Sequence, residues 1–133
     1  MPVLLDTDVS IELLRENPFT LAKLEECDDT AYVSSVTAAE LHFGAANSAR
    51  PGENTEKARR FLANFRRLSL TDGAAEKFGA IKAALRGKSI QVSPFDLLIA
   101  AIALENGCTL ATGNTRHFKD IGGLRLENWI RDK

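Results

Sequence analysis

The stretch Pro2-Val3-Leu4-Leu5-Asp6-Thr7-Asp8-Val9-Ser10-Ile11-Glu12-Leu13-Leu14 decides how the chain folds. It opens on a short apolar run without polar alternation, the pattern of a strand buried on both faces. Two acids and a threonine follow, and from Val9 to Leu14 the apolar residues take up helical spacing. A buried strand that passes through polar residues into a helix is the repeating pattern of an α/β sheet.

The alternation continues downstream. A helix is predicted from about Thr20 to Glu26, ending near the turn-forming pair Asp28-Asp29, then a strand Ala31-Tyr32-Val33-Ser34 and a helix Ala38 to Ala46. Ser48 to Asn54, with Pro51-Gly52, reads as a loop. Glu56 to Arg67 reads as a basic helix with Phe61, Leu62 and Phe65 on one face. Leu68-Ser69-Leu70 is a short strand and Ala74 to Arg86 a helix. Phe95 to Glu105 is a strongly apolar helix closed by Asn106-Gly107, where glycine suits a left-handed cap. Cys108 to Thr112 and Leu124-Arg125-Leu126, before Trp129, complete the strands. The expected fold class is α/β, a central parallel sheet flanked by helices on both faces, forming one domain over residues 1–133. Ligands of such sheets bind beyond the C-terminal strand ends, so the residues just after each strand hold the candidate site.

Composition narrows the class. The chain is 44% hydrophobic and 26% charged, ordinary for a globular domain with a proper core. No apolar run reaches the ~18 residues that span a bilayer, and the N-terminus lacks the basic and long apolar regions of a signal peptide. A cytoplasmic protein is expected. The two cysteines, Cys27 and Cys108, belong to no C-x-x-C pair, so free thiols are expected and a zinc site is not. With 17 basic and 18 acidic residues the net charge is −1, so this is not a polybasic nucleic-acid binder. An RNA ligand would need local patches: Arg59-Arg60, Arg66-Arg67, Arg86 with Lys88, or Arg116. Each of these is equally readable as a solvated helix face.

Four polar residues fall where the fold class puts its sites. Asp6 follows the first strand, Glu40 lies in the first turn of the helix after the second, Asp96 opens the apolar helix, and Asn114 follows Thr112. Each acid also has a structural explanation. Thr37-Ala38-Ala39-Glu40 and Ser93-Pro94-Phe95-Asp96 both have the form of a capping box, and Asp6 or Thr7 can cap the first helix. Scattered caps, however, need not converge, whereas three acids at adjacent strand ends share one cleft. Like charges so placed need either protons or a cation. Oxygen ligands without a histidine or cysteine cluster favour Mg²⁺ or Mn²⁺, and such an ion suits phosphodiester hydrolysis. His42, two residues past Glu40, faces away as a packing or surface residue; His117, with Arg116, is placed to touch substrate phosphate.

These stretches resemble the VapC-type toxins of prokaryotic toxin–antitoxin pairs, which are PIN-domain endoribonucleases. The matching segments are Leu5-Asp6-Thr7-Asp8-Val9, Ser34 to Leu41 with Gly44-Ala45, Ser93 to Ala101, Thr112 to Phe118, and Gly123 to Trp129, in the family's order along the chain. The resemblance implies a PIN fold and Mg²⁺ or Mn²⁺ held by Asp6, Glu40 and Asp96, with Asn114 as the fourth catalytic-site residue. Many PIN nucleases carry an acid near that fourth position, and the neutral Asn114 puts a second metal in doubt. It further implies supporting roles for Asp8, Thr112 and Arg116, an RNA substrate such as a tRNA loop, a cognate antitoxin protein and a homodimer. Two alternatives stand beside it. Asp6-Thr7-Asp8 also has the form of the first motif of haloacid-dehalogenase-like phosphatases, with Asp6 as nucleophile, though the later acidic pair is missing. A non-catalytic PIN-like scaffold that only binds RNA or protein is the other.

Overall fold

Strand β1 (Val3–Leu5) lies at the centre of a parallel sheet in a computed structural model that describes residues 1–130. Among the described residues the sheet has five strands in the order β3-β2-β1-β4-β5, with β2 Ala31–Ser34, β3 Arg66–Leu68, β4 Thr109–Thr112 and β5 Leu126–Asn128. The expected single domain also included residues 131–133, which lie outside the described residues.

Period-two alternation assigns β1 to two cores. Leu4 stands in register with Tyr32 and Leu110 and packs into one cluster with Leu97, Ile99, Ile102 and Phe118. Val3 and Leu5 face the other way, where Val33, Ala111, Val9, Leu13, Leu41 and Trp129 gather. Both faces are therefore covered. Helices α5 (Asp72–Gly87), α6 (Pro94–Glu105) and the short α7 (Thr115–Phe118) supply the first cluster. Helices α1 (Thr7–Leu14), α2 (Pro18–Glu26), α3 (Ser35–Ala46) and α4 (Pro51–Leu62) supply most of the second. Leu4 is fully buried, so truncating it to alanine costs about 3 kcal/mol. The buried Thr20 donates its hydroxyl to the Trp129 carbonyl at 2.8 Å, which ties α2 to the chain beyond β5.

The strand order sets the site. From β1 the chain steps to β2 and β3 on one side, then returns to β4 and β5 on the other. The connections diverge beyond the C-terminal ends of β1 and β4, the place where ligands of such sheets bind. Helices α5 and α6 run antiparallel: Lys77 near the start of α5 pairs with Glu105 at the end of α6, while Leu85 and Arg86 lie beside Pro94 and Leu97. The far end of α5 is thus at that C-terminal end of the sheet.

Several expected boundaries shift. The predicted loop Ser48 to Asn54 is helical from Pro51, because proline suits the first helical turn. The basic helix ends at Leu62 instead of Arg67, and Arg66 and Arg67 belong to edge strand β3, two residues earlier than the strand expected at 68–70. Exposed arginines on a short edge strand discourage further pairing, a signal that helical periodicity had masked. The last strand is Leu126–Asn128, not Leu124 to Leu126. Gly107, at φ +63°, occupies the left-handed position expected after α6.

Candidate active site

Asp6 is the hinge between β1 and α1. Its backbone N–H still belongs to the sheet, donating to the Ala111 carbonyl at 2.9 Å, while its side chain caps the helix by accepting from the Thr7 N–H at 2.8 Å. The second carboxylate oxygen accepts a 2.7 Å bond from Thr112 Oγ1, which in turn accepts from the Asn114 N–H at 3.0 Å. Asp8 bridges the same two elements. Its Oδ1 accepts from the Val9 N–H at 2.7 Å and its Oδ2 from the Gly113 N–H at 2.9 Å.

These acids crowd one another. Burial, with the charge of Asp8 next, pushes the Asp6 carboxyl from 3.8 up to about 7 against the hydrogen bonds from Thr112 and Thr7, and Asp96 adds to the rise. Burial also raises Asp8; the Gly113 and Val9 N–H groups oppose it, and Asp96 reinforces it. Asp96 sits in the first turn of α6, half-buried, with His117 Nδ1 3.5 Å from its Oδ2. Asp6, Asp8 and Asp96 therefore share one electrostatic neighbourhood.

Glu40 is placed differently from expectation. Helix α3 starts at Ser35 with Ser34 as its cap, whose hydroxyl accepts from the Thr37 N–H at 3.0 Å. Glu40 thus lies in the second turn, and no Thr37–Glu40 capping box forms. Its carboxylate instead accepts a 2.6 Å bond from Thr7 Oγ1, beside Asp6. Thr7 Oγ1 has one proton, given to Glu40, so the 2.9 Å contact with Thr37 Oγ1 must run from Thr37 to Thr7. Ser34 donates to Thr37 at 3.4 Å, and the hydroxyls form a directed chain Ser34, Thr37, Thr7 ending on Glu40. Ser93 precedes α6 but its side chain makes no capping bond, so the second expected box is also absent.

The remaining candidates line the rim. Asn114 and Arg116 are exposed, as is His117. Arg59 is engaged by Glu56 at 3.5 Å, whereas Arg66 and Arg67 lie exposed on β3. Cys27 and Cys108 are free, and burial pushes the Cys108 thiol up. Reading the residues one by one gave Thr7 only a capping role and missed Ser34 and Gly113. Ser34, three residues before Thr37, carried a capping signal of its own; the contacts of Thr7 and Gly113 are purely tertiary.

The donor set for a cation is all oxygen, and the buried, mutually repelling carboxylates are what a divalent ion relieves. As placed, no three Asp, Glu, His or Cys side chains among the described residues stand close enough to share one ion. The fit is therefore one of chemistry and charge, with Asp96 and Glu40 half-buried and Asp6 buried.

The PIN domain family profile matches residues 3–124. The chain is 35% identical over 132 residues to the tRNA(fMet)-specific endonuclease VapC of Shigella flexneri, covering 95% of this chain and 96% of that one. It is 34% identical over 128 residues to a ribonuclease VapC of Haemophilus influenzae, covering 96% and 97%. Among solved structures, the DNA-bound VapBC of Salmonella typhimurium superposes with a TM-score of 0.89 at 30% identity, over 98% of this chain and 99% of that chain. VapBC2 of Rickettsia felis, bound to promoter DNA, gives 0.88 at 28%, over 98% and 100%. These relatives set aside the phosphatase alternative for Asp6. The chain belongs to the PIN-domain family and, within it, to the VapC-type endoribonuclease toxins.

Proposed function

We propose that the chain cleaves RNA as a Mg²⁺- or Mn²⁺-dependent endoribonuclease, the toxin of a VapBC-type pair, with its whole length acting as one PIN domain. The observation that supports the metal dependence is the buried Asp6 carboxylate set among the charges of Asp8 and Asp96 with only oxygen donors around it. Asp6, Glu40 and Asp96 hold the ion in this reading. When bound, a divalent ion supplies an activated water and stabilises charge building on a phosphate oxygen.

The chain's own residues do the rest. Thr112 fixes one Asp6 oxygen and Thr7 N–H the other, leaving the carboxylate a single orientation. The hydroxyl chain through Thr7 holds Glu40 beside Asp6. Asn114, exposed at the end of β4, offers an amide to the substrate, and Arg116 a guanidinium to its phosphate. Asp8 supports the site by pinning β4 to α1.

The named relatives extend the reading. One is a tRNA(fMet)-specific endonuclease, which makes a tRNA the first substrate to try. The superposing structures are VapBC complexes, so a cognate antitoxin is the expected protein partner. A homodimer acting in the cytoplasm completes the proposal; among the described residues no helix is long and apolar enough to cross a membrane.

The test is purification without a partner and incubation with total cellular RNA in Mg²⁺, Mn²⁺ or EDTA, beside Asp6→Asn and Asp96→Asn. Discrete, metal-dependent cleavage lost in both variants supports the reading. No cleavage, with no Mn²⁺ binding by calorimetry, would leave the non-catalytic scaffold instead.

A further inference from the structure

We infer that the cleft between the end of α5 and the start of α6 is a nucleotide subsite, which seats RNA next to the scissile phosphate. This rests on the ribonuclease reading and names a surface that the acidic site does not include. The cleft encloses about 720 Å³, within the range of built ligand pockets. Its lining offers an apolar surface beside cations, the two parts a nucleotide needs. Leu85, Val92 and Leu97 form an apolar floor on which a base can lie, and Lys82 and Arg86 stand on its α5 wall.

Two features point to an anionic occupant. Arg86 makes no ion pair among the described residues, and Lys82 has only the Phe78 ring, 5.6 Å from its Nζ. Neither cation is paired with an acid among the described residues. The cleft and Asp96 lie at the same end of α6. Pro94 borders the cleft, and Asp96 lies two residues further in the same first turn of α6, roughly 3 Å along the helix axis but on another face, so an RNA strand must pass round the start of α6 to reach both. Antiparallel packing of α5 on α6 brings Arg86 to this end of the sheet, because Lys77 is held at the other by Glu105. RNA binding by a chain of net charge −1 needs such a local patch, and this one adjoins the candidate metal site.

The experiment is binding of a fluorescein-labelled, mixed-sequence single-stranded RNA, followed by anisotropy in EDTA so that no cleavage occurs. Arg86→Glu and Lys82→Glu are compared with wild type over a salt series, with Arg125→Glu as control. Arg125 directly precedes β5, at the opposite end of the sheet. Each cleft variant is expected to weaken binding about tenfold and to lower the salt slope by about one, at unchanged melting temperature. A 4-thiouridine-substituted RNA is expected to crosslink within residues 82–94. Wild-type binding with silent cleft variants, or with crosslinks only elsewhere, overturns the subsite and spares the ribonuclease reading. Loss of binding equal to that of Arg125→Glu also overturns it. A wild type that neither binds nor cleaves RNA overturns both.

Discussion

Thr112 Oγ1 gives its proton to Asp6 Oδ2 at 2.7 Å and takes the Asn114 N–H on its lone pair. One buried hydroxyl thereby couples the end of β4 to the end of β1 at the point where the chain's connections part. Thr112→Val keeps the shape and removes both bonds. It strands the Asn114 N–H and takes from Asp6 one of the bonds that favour its charged form, so it should cost about 1–2 kcal/mol of stability. RNA cleavage should fall roughly tenfold, an amount equal to about 1.4 kcal/mol, while Thr112→Ser stays near wild type. Thermal melts in EDTA and single-turnover cleavage rates check this; a valine variant matching wild type in both would remove Thr112 from the site.

The raised Asp6 carboxyl makes stability depend on pH with a definite sign. Folded Asp6 loses its proton near pH 7, whereas the unfolded chain loses it near 3.8. Between those values the folded state binds more protons, so the stability of the metal-free protein falls as pH rises through that window. The loss from this group is a few kcal/mol. Asp6→Asn should flatten the slope over the same window, and Mn²⁺ should raise the melting temperature most above pH 7. Denaturant melts from pH 4.5 to 8 in EDTA decide; parallel pH profiles for wild type and Asp6→Asn would mean that Asp6 ionises freely.

Much of this was legible in the chain itself. The run Val3-Leu4-Leu5 identifies the central strand because burial on both sides demands apolar residues at every position. Asp6, Asp96 and Asn114 are legible because a parallel sheet puts its crevice beyond its strand ends. Glu40 stood out by its place on the helix after the second strand; its rival explanation, a capping box with Thr37, does not form because Ser34 caps the helix. Arg66 and Arg67 looked helical because they continue the spacing of α4, and only pairing of Tyr32 with Arg66 reveals the strand. The Thr7–Glu40 bond spans 33 residues and depends on α1 lying beside α3, which no local pattern encodes.

Asp96 is half-buried beside two other acids, so neutralising it relieves repulsion in the metal-free protein. Asp96→Asn is expected to abolish cleavage, by at least a hundredfold, while the melting temperature in EDTA stays equal or rises by a degree or two. Asparagine still serves in the first turn of α6, although less well than aspartate in the field of the helix dipole. Retained cleavage together with a melting temperature several degrees lower would make Asp96 a structural residue only.

Thr7 and Glu40 separate positioning from chemistry. Glu40→Gln still accepts the Thr7 proton but brings no charge, so it should lose Mn²⁺ affinity and cleavage at almost unchanged stability. Thr7→Val keeps the charge and removes its anchor, leaving the buried Thr37 hydroxyl without its acceptor at about 1–2 kcal/mol. Its cleavage should fall less than that of Glu40→Gln. Calorimetric Mn²⁺ titrations beside melts resolve the two; equal Mn²⁺ binding in Glu40→Gln and wild type would take Glu40 out of the ligand set.

Gly113 carries the tightest steric demand at the site. A Cβ there would lie 2.8 Å from Ile130 Cδ1 and 3.0 Å from Ile130 Cβ, and 3.1 Å from Asp8 Oδ2. The terminal methyl can swing away, but Cβ of a branched residue moves only with its backbone, and the Asp8 oxygen is held by the Gly113 N–H itself. Gly113→Ala must therefore stretch the Asp8 bond or push the chain at Ile130 outward, costing about 1–3 kcal/mol. Because the same residue separates Thr112 from Asn114, the displacement reaches both, and cleavage should fall along with stability. In the double variant Gly113→Ala with Ile130→Gly, which removes both the terminal methyl and the Cβ, the loss of stability should be smaller than the sum of the two single losses, read from denaturant melts of all three variants. If the second substitution only adds its own loss, contact with Ile130 is not what requires glycine at 113.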